Sequence, residues 1–253
     1  MNFVGVGGVM NGIRLGVPYT KSLAALSPGV QALWFDGIDD YAYFSTATMH
    51  AMAGKDMTKV VVTGRLRVDA SYSTARKVIQ YGAVGSSQMT GFYLRQNSAT
   101  TLQVIVGGQS YRGGASFSTG DLTPDTWYDF TIDIDTSAET ITLTLGREFT
   151  DTVDMAGPGF TIFNGTYVSK ESIEGHDSTT PSFFYSRSSD GANMYWGGVM
   201  SDVKIVDRNG TVLHRALFDD GSGTALADGA AGASDGTLVS ADPATCWANG
   251  YIE

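Results

Sequence analysis

Residues 126–145 alternate polar and apolar side chains, turn, and alternate again. The run Trp127-Tyr128-Asp129-Phe130-Thr131-Ile132-Asp133-Ile134-Asp135 puts every second side chain on one face of an extended chain. One face carries Tyr128 and Phe130 or their neighbours. Residues 136–139 turn, and Ile141, Leu143 and Leu145 return on a single face. A period of two is not helical, so this segment predicts an antiparallel hairpin with one face buried.

The rest of the chain follows the same period. Leu33-Trp34-Phe35-Asp36-Gly37-Ile38-Asp39-Asp40-Tyr41-Ala42-Tyr43-Phe44 runs from apolar residues through an acidic, glycine-containing corner into an alternating aromatic segment, which predicts two short strands around a tight turn. Further strands are expected at 57–68, with Gly64 as a bulge, and at 77–81, 91–95, 102–106, 160–163, 194–206 and 212–218, with residues 183–185 preceding a loop at 186–193. Gly107-Gly108 and Asp207-Arg208-Asn209-Gly210 read as turns between them. Trp34, Trp127 and Trp196 are expected as core rings, since sandwiches fill their centres with such side chains.

With 253 residues and 42% apolar composition the chain can fill a sizeable core, and no second core is legible. Residues 1–31 stand apart. Val4, Val6 and Val9 lie among glycines, then Ile13, Leu15 and Val17 alternate before Pro18. This segment is expected as an arm that packs on a neighbour or as an edge segment of its own sandwich. Residues 32–253 form the sandwich with a C-terminal return segment.

The formal charge is -10, from 16 Lys and Arg against 26 Asp and Glu, and no basic run interrupts it. Nucleic acid is therefore not an expected partner. No apolar run reaches membrane-spanning length, so membrane insertion is not expected either. Cys246 is the sole cysteine, which excludes an intrachain disulfide and predicts a buried thiol. Residues 1–10 lack a basic n-region and are broken by glycines, so synthesis in a host cytoplasm without conventional export is expected.

The Leu33–Phe44 segment resembles an early strand-turn-strand of laminin-G-like domains. The stretch Met194-Tyr195-Trp196-Gly197-Gly198-Val199-Met200-Ser201-Asp202-Val203-Lys204-Ile205-Val206 resembles the strand that closes their sandwich. Phe218-Asp219-Asp220-Gly221-Ser222-Gly223 and Ala233-Ser234-Asp235-Gly236-Thr237-Leu238 resemble their recurring tail. The resemblance covers residues 32–240. It implies an all-β, concanavalin A-like jelly-roll sandwich of two antiparallel sheets, whose last strand pairs near its first. It is similar to domains of tailed-bacteriophage virion proteins, and unlike many secreted members it has no disulfide.

Relatives with this architecture hydrolyse glycosides, which needs two carboxylates across one sugar cleft. Asp133, Asp135 and Glu139 are the best acidic cluster, but Glu139 falls in a turn and the glucanase pattern of two Glu flanking an Asp on one strand is absent. No catalytic residues are assigned. Asp36, Asp39 and Asp40 are the candidate ligands for calcium, a hard ion that takes several oxygens; bonds from aspartates to their own turn explain the same residues. His50, His176 and His214 have no metal-ligand spacing.

Binding has more support than catalysis. Tyr72, Tyr93, Arg95, Asn97, Tyr111, Arg112 and Trp196 belong to a pool of aromatic and polar residues suited to sugars. The strongest candidates surround the loop 186–193: Tyr185, Arg187, Asp190, Asn193 and Tyr195. The expected function is a non-enzymatic structural protein of a bacteriophage particle, as capsid decoration, fibre or tail-associated module, with host-glycan contact through such loops. The partners are other virion proteins, copies of itself and host surface polysaccharide, and the location is the virion. A stand-alone carbohydrate-binding adhesion protein is the alternative, and a glycoside hydrolase a further one.

Overall fold

The computed structural model of the chain describes residues 31–44, 58–68, 75–81, 91–107, 112–163, 183–185, 195–216, 218, 222–231, 233, 235–239 and 246–249. Residues 1–30, and with them nearly all of the expected arm, lie outside this set. In chain order the strands are β1 (Gln31–Asp36), β2 (Tyr41–Phe44), β3 (Lys59–Val68), β4 (Arg76–Tyr81), β5 (Gly91–Ser98), β6 (Thr101–Gly107), β7 (Arg112–Ser118), β8 (Trp127–Asp135) and β9 (Thr140–Leu145). They continue as β10 (Phe149–Asp154), β11 (Phe160–Phe163), β12 (Phe183–Tyr185), β13 (Gly197–Asp207), β14 (Val212–Ala216), β15 (Ala225–Leu226), β16 (Gly236–Val239) and β17 (Trp247–Asn249). The described residues contain no helix.

The strands form two antiparallel sheets packed as a jelly-roll sandwich. The first sheet has eight strands in the order β10-β9-β8-β3-β13-β1-β17. β14 joins it on β13, beside residues 203–206, while β1 pairs with residues 197–200 of the same strand. The second sheet has nine strands in the order β11-β7-β6-β5-β4-β12-β2-β16-β15. The return of the tail onto the head occurs twice. β17 pairs with β1, and β16 with β2.

The expected hairpin is β8–β9, paired from Phe130↔Leu145 to Asp135↔Thr140. Phe130, Ile132 and Ile134 point inward with Ile141, Leu143 and Leu145, and meet Leu102, Val104 and Val106 of β6 and Phe92 and Leu94 of β5 in one buried cluster. Each large apolar side chain sealed there contributes about 1.5–3 kcal/mol.

Three expectations are corrected. Gly64 is not a bulge: it pairs in register with Phe130. A β-carbon at Gly64 would lie 2.8 Å from the Phe130 ring and 3.2 Å from Val203, so close packing selects glycine there. The extra residue lies on the partner strand β13, between Ser201 and Lys204 opposite Gly64, and the other shifts fall between Ile205 and Val206, Lys77 and Ile79, and Gln96 and Ser98. Of the three tryptophans expected as core rings, only Trp196 is fully buried. Trp34 and Trp127 are half-buried on the opposite strand faces from Leu33 and Phe130, and the Arg65 guanidinium lies 5.2 Å over the Trp127 ring.

Candidate functional site

The second sheet fills the core with Phe44, Tyr81, Phe92, Phe117 and Tyr185, and carries a further group of aromatic and polar side chains on its opposite face. On β2 the order Tyr41-Ala42-Tyr43-Phe44 sends Ala42 and Phe44 inward and leaves Tyr41 and Tyr43 half-buried on the other side. Their rings are 6.4 Å apart, and Tyr195 brings a third ring 6.3 Å from Tyr41. Tyr195 is held by a bridge to Lys77 of β4.

Beside these rings runs a cross-strand polar row. Lys77 pairs with Arg95, Arg95 with Gln103, and Gln103 with Ser116. Paired residues project to the same face, so the four side chains stand side by side. Arg95 Nε donates to Gln103 Oε1 at 2.5 Å, and Gln103 Nε2 donates to Ser116 Oγ at 2.9 Å. The shift at Val78 resets the alternation of β4, which lets Lys77 and Gln80, three residues apart, share this face. Lys77 Nζ donates to Gln80 Oε1 at 3.1 Å and lies 4.6 Å over the Tyr93 ring. Arg95 lies 5.9 Å over the same ring. Lys77 is 3% exposed, Tyr93 4% and Gln103 7%. Arg95 is half-buried and Ser116 exposed. Beneath the accessible groups therefore lies a fixed floor of bonded polar side chains.

Charge separates the two sheets. None of the nine strands of the second sheet contains an Asp or Glu, and they carry Arg76, Lys77, Arg95 and Arg112. Every strand carboxylate lies on the first sheet. There three cations meet aspartates: Lys59 Nζ is 2.8 Å from Asp133, Arg65 Nε 2.7 Å from Asp129, and Arg208 Nη2, in the turn after β13, 3.1 Å from Asp135.

The predicted ligand residues divide. Tyr195 joins the outer aromatic group. Tyr185 does not: it is fully buried on β12, and its hydroxyl meets His214 Nε2 at 2.5 Å, so it is a core residue. Burial, and then the Asp228 carboxylate, push its phenol well above the ordinary value of 10.0. Arg187, Asp190 and Asn193 lie outside the described residues, as do Tyr72 and Tyr111. Trp196 is buried, with its Nε1 donating to Gln96 Oε1 at 3.2 Å. From the wider pool Tyr93 and Arg95 fall on the outer face. Tyr41, Tyr43, Lys77 and Gln103 were not singled out from sequence; the alternation within Tyr41–Phe44 already placed the two tyrosines opposite the core.

The acidic candidates are accounted for locally. Asp36, Asp39 and Asp40 bring carboxylate oxygens within 4.8 Å of one another. Asp36 Oδ1 accepts the backbone N–H groups of Ile38 at 2.7 Å and Asp39 at 3.2 Å, and Asp40 Oδ2 accepts that of Asp36 at 3.1 Å. These bonds build the turn from within. In the other cluster, Asp135 Oδ1 accepts N–H groups of Ser137 and Ala138 besides Arg208, and Glu139 holds a φ of 57° in the turn. Asp133 and Asp135 are thus tied to cations on the outer face of the first sheet.

No family model matches the chain, and no curated protein matches it. Among solved structures it is similar to a putative carbohydrate binding protein from Bacteroides ovatus, at 16% identity and a TM-score of 0.49 over 83% of this chain and 58% of that one. A heptameric SAP-like pentraxin from Limulus polyphemus gives 13% identity and a TM-score of 0.46 over 72% and 78% of the two chains. Tailspike protein 2 from Escherichia coli O157:H7 bacteriophage CAB120 gives 13% identity and a TM-score of 0.41 over 66% and 21%. The chain spans little more than half the length of the first of these proteins.

Proposed function

We propose that the chain is a non-catalytic carbohydrate-binding domain whose ligand lies across the outer face of the second sheet. The observation that carries this reading is that Tyr195, whose ring lies 6.3 Å from Tyr41, is bridged to Lys77, the cross-strand partner of Arg95 in the bonded row Arg95–Gln103–Ser116. Saccharides present apolar C–H faces, which pack on aromatic rings, and hydroxyl edges, which exchange hydrogen bonds with amides, guanidinium and hydroxyl groups. A sheet face fixed by cross-strand bonds meets such a ligand without losing much side-chain freedom.

The setting we propose is the surface of a bacteriophage particle, where the domain contacts host glycans and other virion proteins. The acidic, largely uncharged polar composition and the resemblance to phage-borne domains support it. Residues 1–31 are the proposed assembly segment; removal of residues 2–28 is expected to reduce incorporation into particles, and unchanged incorporation rejects that role. The glycan reading is tested by affinity electrophoresis of the whole chain in gels containing neutral and acidic bacterial surface polysaccharides. Retardation of the wild type by at least one polymer, lost in a folded Tyr41→Ala/Tyr195→Ala variant, is expected. Unretarded migration in every gel, or equal retardation of the variant, rejects the reading.

A further inference from the structure

Arg95 is held in place yet has no counter-charge. Its Nε is engaged by Gln103, and Gln103 is itself fixed by Ser116. Its guanidinium lies over Tyr93. Among the described residues no carboxylate lies within ion-pair distance of Arg95, whose hydrogen bond goes to Gln103 and whose ring contact is with Tyr93. The strands around it contain no Asp or Glu from which a partner could come. The residue opposite on β4 is Lys77, a second cation.

The same chain does otherwise elsewhere. On the first sheet Lys59, Arg65 and Arg208 each meet an aspartate. With a net charge of -10 carboxylates are abundant, and their exclusion from the second sheet is a property of the arrangement rather than of composition. An arginine anchored through Nε keeps its two terminal nitrogens, the pair that bonds a planar anion in a fork. We propose that the outer face of the second sheet takes a saccharide that bears an anionic group, and that Arg95 reads that group. The inference rests on the carbohydrate-binding reading of this face and adds the ligand class to it. The shared chemistry is an oxyanion on a sugar ring, supplied by a uronic-acid carboxylate or by a sulfate ester.

The experiment separates the two levels. The whole chain is titrated with polygalacturonate, with the same polymer after its carboxyls are reduced to alcohols, with dextran sulfate and with dextran. Arg95→Ala and Arg95→Lys are compared with the wild type after each is shown to melt cooperatively. Wild type is expected to bind one of the two acidic polymers and to lose about tenfold or more in affinity for its neutral counterpart. Arg95→Ala is expected to lose a similar factor for the acidic polymer and little for the neutral one, while Arg95→Lys recovers part of it through charge alone. Equal binding of acidic and neutral polymers, or an Arg95→Ala variant that still discriminates between them, overturns the proposal and leaves the carbohydrate reading standing. Binding of neither kind by a folded chain overturns both. Binding to both acidic polymers that Arg95→Ala leaves unchanged shows general polyanion attraction, and overturns the role given to Arg95.

Discussion

Tyr185 of β12 and His214 of β14 join the two sheets through the core by a 2.5 Å contact between the phenol oxygen and Nε2. His214 Nδ1 is 2.5 Å from Asp228 Oδ2, and Asp228 Oδ1 accepts the backbone N–H groups of Arg215 at 3.1 Å and Ala230 at 2.9 Å. The imidazole thus bridges the Tyr185 hydroxyl at Nε2 and the Asp228 carboxylate at Nδ1. The Phe44 ring packs edge-on against the imidazole at 4.7 Å, which keeps the group dry.

Tyr185→Phe preserves the shape and removes the hydroxyl. Buried Nε2 then loses its partner, and the chain is expected to lose about 1–3 kcal/mol in urea unfolding. Unchanged stability contradicts the clamp.

The raised phenol pKa of Tyr185 gives a pH dependence with a definite sign. The folded chain keeps a proton that the unfolded chain releases near the ordinary value of 10.0. The contribution is fully present below that value and declines as pH rises from it toward the folded pKa, by about 1.4 kcal/mol per pH unit. Urea unfolding of wild type and Tyr185→Phe at about pH 9 and about pH 11 checks this, since the other tyrosines are common to both. The wild-type advantage is expected to shrink at the higher pH; a constant or growing advantage is the contrary result.

Gly198 on β13 tests how tightly the backbone is packed beside Trp196. A β-carbon there would lie 2.5 Å from the Arg67 carbonyl oxygen and 2.5 Å from the Trp196 ring. At Gly64 the nearest atom is the far end of the Phe130 ring. A ring can tilt and a paired carbonyl cannot, so Gly198→Ala is expected to cost about 1–3 kcal/mol or more, and more than Gly64→Ala. Thermal unfolding of the two variants decides the order.

Much of this fold is written in alternation. The hairpin Trp127–Asp135 and Thr140–Leu145 is readable because one face of each strand is apolar and the other carries Asp and Thr. β10 was missed because its edge position leaves Phe149–Asp154 mostly exposed, so apolar residues do not mark it. β15, of two residues, and β17, of three, are too short to show a period. Tyr185 was read as a ligand residue because it flanks the polar loop 186–193; its burial depends on His214, 29 positions away. Arg95 and Tyr93 could be pooled as sugar-type residues, but their alignment with Lys77 and Gln103 is a matter of register, including a shift at Val78 that no local pattern announces.

The corner at Asp36 is expected to need no ion. Asp36→Ala removes the acceptor of the Ile38 and Asp39 N–H groups and is expected to cost about 1 kcal/mol. Millimolar calcium is expected to leave the melting temperature of the wild type unchanged. A rise that grows with calcium concentration, and that Asp36→Ala abolishes, identifies a bound ion instead.

The central claim is that the outer face of the second sheet is the saccharide surface. Amide chemical-shift mapping during titration with a retarding polysaccharide's oligomers tests it most directly. The account predicts shifts clustered at Tyr41, Tyr43, Arg95, Gln103, Ser116 and Tyr195. Shifts clustered instead at Thr131, Thr144 and Thr150, on the outer face of the first sheet, contradict it.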